Sequence, residues 1–251
     1  FETEQKPAPA AAGAGFSTVK QAKKTGEERS SMKTVQKHLL RRYLLLCTGL
    51  VIMAFGVAFS IKGGLGTSPI SSLPYVLSLR FPVTLGQFTF LMNMLFILAQ
   101  VLLLRKDFRP VQLLQVAVNV VFSLFIDVSM GLLSWMEVGV LPMRLLALAV
   151  GCAVLGFGIS VEVAPRVLMV PGEGIVQAIA VVTGRQFGNV KTAFDATLVS
   201  TALLLSLLFF HRLQGLGIGT IFSALAVGRF VDLYNRRLPL ISRISALGAR
   251  T

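Results

Sequence analysis

The chain has 251 residues, of which 54% are apolar and only 14% charged, and its mean hydropathy is +0.75. A soluble domain carries about 25% charged residues, so an ordinary water-soluble fold is excluded. The net charge of +13 does not argue for nucleic acid. A basic face needs an exposed domain to present it, whereas membrane proteins collect Lys and Arg in cytoplasmic loops.

Residues 1–37 hold seven Lys/Arg and four Asp/Glu, with a PAPAAAGAG run and no apolar periodicity. They predict a disordered, basic cytoplasmic tail rather than a signal peptide, because no short apolar run with a small-residue cleavage site follows the charges. Uncharged runs then occupy 43–61, 81–104, 110–126, 145–161, 196–210 and 213–228. Crossing a bilayer takes about 20 mostly apolar residues, and the runs lack the alternation of a membrane barrel. Six transmembrane helices are expected, in an all-α polytopic membrane protein. Cys47 and Cys152 lie inside these runs, which argues for packing rather than a disulfide or metal site.

Shifted by 102 residues, the sequence lines up on itself. Phe55-Gly56-Val57 falls on Phe157-Gly158-Ile159, Pro69 on Pro171, Gly86 on Gly188, Gln87 on Asn189 and Asn93 on Asp195. With three further residues inserted, Phe125-Ile126-Asp127 meets Phe230-Val231-Asp232. These matches include Pro, Gly and Asp, residues unusual in apolar helices. The chain therefore reads as two membrane repeats, 38–136 and 143–238, followed by a cytoplasmic tail at 239–251.

Each repeat contains three long runs and one short segment, PISSLPYVLSLR at 69–80 and PGEGIVQAIAVVT at 171–183. Twelve or thirteen helical residues reach about 18–20 Å, short of a hydrocarbon core of about 30 Å. Both are predicted to be re-entrant half-helices, with proline at the first helical position and Ser68 as a cap in the first. An odd number of spans per repeat inverts the second relative to the first. With the N-terminal tail inside, Arg105, Lys106, Arg109, Arg166, Arg185, Lys191, Arg236, Arg237 and Arg243 also fall inside. Lys62, Arg80, Glu137, Arg144, His211 and Arg212 fall outside. This obeys the positive-inside rule except at Arg212.

Inverted repeats with broken helices are built for transport, the half-helix N-termini pointing free N–H groups at a central site. Glu173 occupies the third position of the second half-helix, where the helix dipole alone also favours a carboxylate. Lys191 and Asp195, spaced i, i+4, share one face of the following helix, and ionisable residues in spans usually face a cavity or each other. Glu173, Lys191 and Asp195 are the predicted coupling group; a buried ion pair that fixes helix orientation is the competing reading. The first repeat has neutral Ser71, Thr89 and Asn93 at the matching positions. Solute-binding candidates are Gly66, Thr67, Ser68, Ser71, Ser72, Asn93, Gly172 and Gly174. Asp127 and Asp232 read as caps or anchors, with Arg229 placed to pair with Asp232. The glycines at 215–219 precede a membrane helix without a strand, which excludes a nucleotide fingerprint.

GLGTSPISSLPYVLS, VTLGQFTFLMN, VPGEG, FGNVKTAFD and GIGTIFSALAVGRFVD, in this order, resemble the YczE/YitT-type bacterial integral membrane proteins, a largely uncharacterised group. The resemblance covers about 38–237 and carries the family's PGEG and Lys-x-x-x-Asp elements onto Pro171, Gly172, Glu173, Gly174, Lys191 and Asp195. It departs at Arg229, where many relatives have Gly-Pro. It implies a bacterial cytoplasmic membrane location. The expected function is a secondary transporter or exporter of a small polar or anionic solute, proton-coupled through Glu173 or Asp195. The alternatives are a channel using the same half-helices and a non-transporting accessory or assembly protein. No enzyme motif, metal set or cofactor motif is found, and the expected partners are the lipid bilayer and an unidentified small solute. A homodimer is compatible with the sequence.

Overall fold

A computed structural model of the protein describes residues 39–108 and 110–248, without the side chains of 246–248. The predicted tail at 1–37, His38 and Arg109 lie outside the described residues. The chain divides into two compact units, Phe1–Arg42 and Tyr43–Thr251; of the first, only residues 39–42, which are helical, are described.

The described residues are all helical, with nine α-helices and no strand. They are α1 (Leu39–Lys62), α2 (Pro69–Arg80), α3 (Leu85–Leu104), α4 (Gln115–Leu132), α5 (Leu141–Val163), α6 (Pro171–Thr183), α7 (Phe187–Phe210), α8 (Ile218–Arg237) and α9 (Pro239–Gly248). Five are long and apolar enough to cross a membrane: α1, α3, α4 with the 3-10 turn before it, α5 and α7. The run expected at 213–228 as a sixth span is instead helical from Ile218 to Arg237. It places Arg229 and Asp232 within the helix and Arg236 and Arg237 in its last turn, so α8 is not apolar along its length.

Local chemistry explains several boundaries. α3 begins at Leu85 rather than Phe81 because Thr84 and Gln87 form a reciprocal capping box: the Gln87 N–H donates to Thr84 Oγ1 at 3.1 Å, and the Thr84 N–H donates to Gln87 Oε1 at 3.2 Å. α6 stops at Gly184, whose φ of +65° suits glycine. The segment from 239 forms α9, whose Ile241 and Ile244 pack on Val161 and Ala164.

α1 and α5 lie against each other with glycines in the contact. A Cβ on Gly49 would stand 2.6 Å from the Glu162 backbone nitrogen, and one on Gly158 2.6 Å from that of Met53. Cβ atoms on Gly56 and Gly151 would collide with Leu155 and Ser60. In all four pairs the two residue numbers add to the same total, the register of antiparallel helices. Small residues are what allow membrane helices to approach this closely. α1 also packs on α4 through Leu46, Leu50, Met53, Val118, Phe122 and Ile126, while α5 packs on α8.

The short helices cross over. α2 packs on α7 and α6 packs on α3. Helices α2 and α3 start at 69 and 85, and α6 and α7 each start 102 residues later. The two halves differ in one respect. α3 and α4 pack closely along their lengths, but their counterparts α7 and α8 scarcely touch. Outward faces are apolar, as along Leu91, Leu95, Leu98 and Leu102 of α3, each more than half exposed. Such faces belong in lipid, where helices satisfy every backbone group internally.

Candidate functional site

The two short helices meet at their N-terminal ends. The tip of the Ile70 side chain of α2 lies where a Cβ on Gly172 of α6 would stand, so the two helices touch there and a larger residue at 172 would have to displace that tip. Proline at the first position of each helix removes one N–H that no intrahelical acceptor could reach. Ser68 does not cap α2 as expected. Its hydroxyl donates to Ser71 Oγ at 3.0 Å, and that of Ser72 to the Pro69 carbonyl at 2.6 Å.

On the α6 side, Lys191 and Asp195 form an ion pair of 2.7 Å, with side chains 30% and 22% exposed. Arg229 and Asp232, expected to pair, do not pair with each other. Glu173 is half-buried, and both Lys191 and Asp195 act on it electrostatically. The predicted coupling residues are therefore in one neighbourhood. Beside Gly174 lies Gln100 of α3, which would meet an added Cβ at 2.6 Å. Gln100 Nε2 donates to the Pro171 carbonyl at 3.2 Å and to Gln115 Oε1 at 3.2 Å. A buried glutamine pair from the first half thus clamps the start of α6.

Other predicted residues go elsewhere. Gly66 and Thr67 lie against the N-terminus of α8: the Gly219 N–H donates to the Leu65 carbonyl at 2.9 Å and Ser223 Oγ to the Thr67 carbonyl at 3.0 Å. Thr67 Oγ1 and Thr220 Oγ1 are buried there without hydrogen-bond partners. Asn93 faces α4, donating to Asn119 Oδ1 at 2.8 Å. Asp127 holds α4 to the start of α3, accepting from Thr84 Oγ1 at 2.6 Å and the Gly86 N–H at 2.7 Å. At the counterpart positions, Gln186 makes no side-chain cap and Gly188 faces open space. A cleft of about 460 Å³ beside Gly86, Phe90 and Asp127 lies between α3 and α4; none of the expected solute-binding or coupling residues lines it.

Sequence reading missed Gln100, Gln115 and Glu162. Glu162 is fully buried in α5, and neither carboxyl oxygen makes a hydrogen bond of ordinary geometry. The Val170 backbone amide and the Glu173 carboxyl are the groups that act on it. A signal existed. Glu162 lies one residue beyond the uncharged run 145–161, and the 102-residue shift places it on Ser60, whose hydroxyl is spent on the Gly56 carbonyl at 3.0 Å.

Five long apolar helices, lipid-suited outer faces and polar groups gathered inside define a multi-pass α-helical membrane protein. The chain belongs to the family of unknown function DUF6198, whose profile matches residues 40–236. It is 26% identical over 197 residues to the uncharacterized membrane protein YczE of Bacillus subtilis (strain 168), covering 77% of this chain and 85% of that protein. It is 23% identical over 203 residues to the uncharacterized protein YyaS of the same organism, covering 80% and 94%. No solved structure matches the chain.

Proposed function

We propose that the protein is a secondary transporter of a small polar or anionic solute, built as an inverted repeat, with the solute site where the two re-entrant half-helices meet. The observation that carries this reading is the contact between Ile70 and Gly172, positions that are duplicates of each other. A residue touching its own counterpart sits on a two-fold axis. The α1–α5 register supports the same axis, because the 102-residue shift converts the Gly49–Glu162 contact into Ser60–Gly151, and Gly56–Leu155 into Met53–Gly158. Helices related this way run in opposite directions through the bilayer, as transporter repeats do.

Around the axis, the N-terminal ends of α2 and α6 supply partial positive charge. Glu173 carries the coupling proton, and Lys191, already paired with Asp195, stabilises its ionised form. Rocking of one half against the other gives alternating access. Support for two states comes from the unequal halves, α3 held to α4 by Asp127 and α7 apart from α8. The protein sits in a bacterial cytoplasmic membrane with both termini inside, as the Lys/Arg distribution favours.

The test uses purified protein in liposomes loaded with a pH-sensitive dye. Gradients of inorganic phosphate, small carboxylates and neutral polar solutes are applied in turn. At least one gradient is expected to move protons in the wild type, and none in Glu173→Gln. Equal proton movement in Glu173→Gln overturns the assignment.

A further inference from the structure

We propose that Glu162 is a second proton-binding carboxyl of this membrane centre, acting with Glu173 as a coupled pair across the turn between α5 and α6. Its role in transport rests on the reading above; the proton site itself does not.

Three observations converge on it. First, Glu162 is fully buried and neither oxygen makes a hydrogen bond of ordinary geometry, the Val170 N–H being the backbone donor that acts on it. Buried polar groups are almost always satisfied, and each exception needs an explanation. An isolated carboxylate in an apolar interior is so costly that the side chain exchanges charge for a proton. Binding is simple in its balance: one carboxylate oxygen gains an O–H bond to a proton taken from water, and release returns it. Second, its surroundings are specific. Residues 43–61 of α1, which pack across from it at Gly49, contain no charged side chain. α9 brings Ile241 and Ile244 to neighbouring Val161 and Ala164. α6 brings Glu173, with Lys191 and Asp195 of α7 beyond it, and Arg166 lies in the intervening turn. Third, Glu162 stands on the α1–α5 contact, where its backbone abuts Gly49. Any rocking of one half on the other changes what this carboxyl faces, so proton occupancy and conformation are linked at this residue. The duplicate position, Ser60, cannot ionise.

Infrared difference spectroscopy on the full-length protein in lipid nanodiscs, across a pH titration, reads the proton directly and needs no solute. Carbonyl bands of buried carboxylic acids are expected in the wild type, one of them lost in Glu162→Gln and that same band kept in Glu173→Gln with a displaced pH midpoint. An unchanged set of bands in Glu162→Gln overturns the proposal. If that variant does not accumulate, Glu173→Gln still decides: an unmoved midpoint overturns the coupling of the pair. A band that behaves as expected in a protein that moves no protons in liposomes retains the site and removes the transporter reading instead.

Discussion

The two halves of this chain share helix order but not chemistry. In the first, Ser60, Ser71, Thr89 and Asn93 are buried and neutral, and their side chains bond locally or to a neighbouring helix. The second places Glu162, Glu173, Lys191 and Asp195 at the matching positions. The first half is also the tighter one, with Asp127 binding the start of α3 at two points while Asp232 leaves the start of α7 free. The difference teaches a division of labour. One half holds its helix pair with a bonded aspartate, and the other keeps ionisable groups and a loose helix pair, the features that the proposed transporter would need in its moving part.

The largest expected effect tests what both halves share. Gly49→Leu or Gly56→Leu drives a side chain into the α5 backbone, which cannot yield as a flexible side chain could. A loss of about 3 kcal/mol or more is expected, seen as failure to accumulate or a collapsed melting temperature in detergent. Gly131→Leu and Gly228→Leu, where an added Cβ meets nothing, should melt as the wild type does. Equal losses at all four positions would remove the close α1–α5 contact.

The comparison itself is broken or sharpened at the two aspartates. Asp127→Ala leaves the Gly86 N–H and Thr84 hydroxyl without their acceptor, costing about 1–3 kcal/mol. Asp232→Ala should stay within about 0.5 kcal/mol, as surface substitutions do. In a chain with Cys47→Ser and Cys152→Ser, the pair Thr84→Cys/Asp127→Cys is expected to cross-link readily and Gln186→Cys/Asp232→Cys poorly. Equal cross-linking would mean that the halves are alike. The smallest stability effect belongs to Lys191→Met, about 0.5 kcal/mol for a partly exposed i, i+4 pair. Its proton movement in liposomes should nonetheless fall sharply; a variant that moves protons normally would reduce the pair to an orientation anchor.

Much of the fold was legible because the bilayer simplifies the code. Long uncharged runs gave the spanning helices, and proline at 69 and 171 marked the short helices found from Pro69 to Arg80 and from Pro171 to Thr183. α8 was misjudged because an uncharged run says where charge is absent, not where hydrogen bonding stops; the helix continues through Arg229 and Asp232. The grouping of Glu173 with Lys191 and Asp195 was readable from i, i+4 spacing plus the duplicate register. Gln100 and Gln115 were not, since their pairing depends on which helices cross. Glu162 lies just past the apolar run that ends at Val161, where a carboxylate reads as the solvated edge of a span, and only its duplicate register with Ser60 marks it as interior.

The meeting of Ile70 and Gly172 carries a consequence for how such a molecule arises. On the two-fold axis proposed above, a pair of identical chains would set like residues face to face, two isoleucines crowding each other or two glycines leaving a gap. Joining both units in one polypeptide frees the two positions to differ, a knob on one side and a socket on the other. The two duplicate positions thus meet with unlike side chains, an arrangement that a dimer of identical halves does not offer.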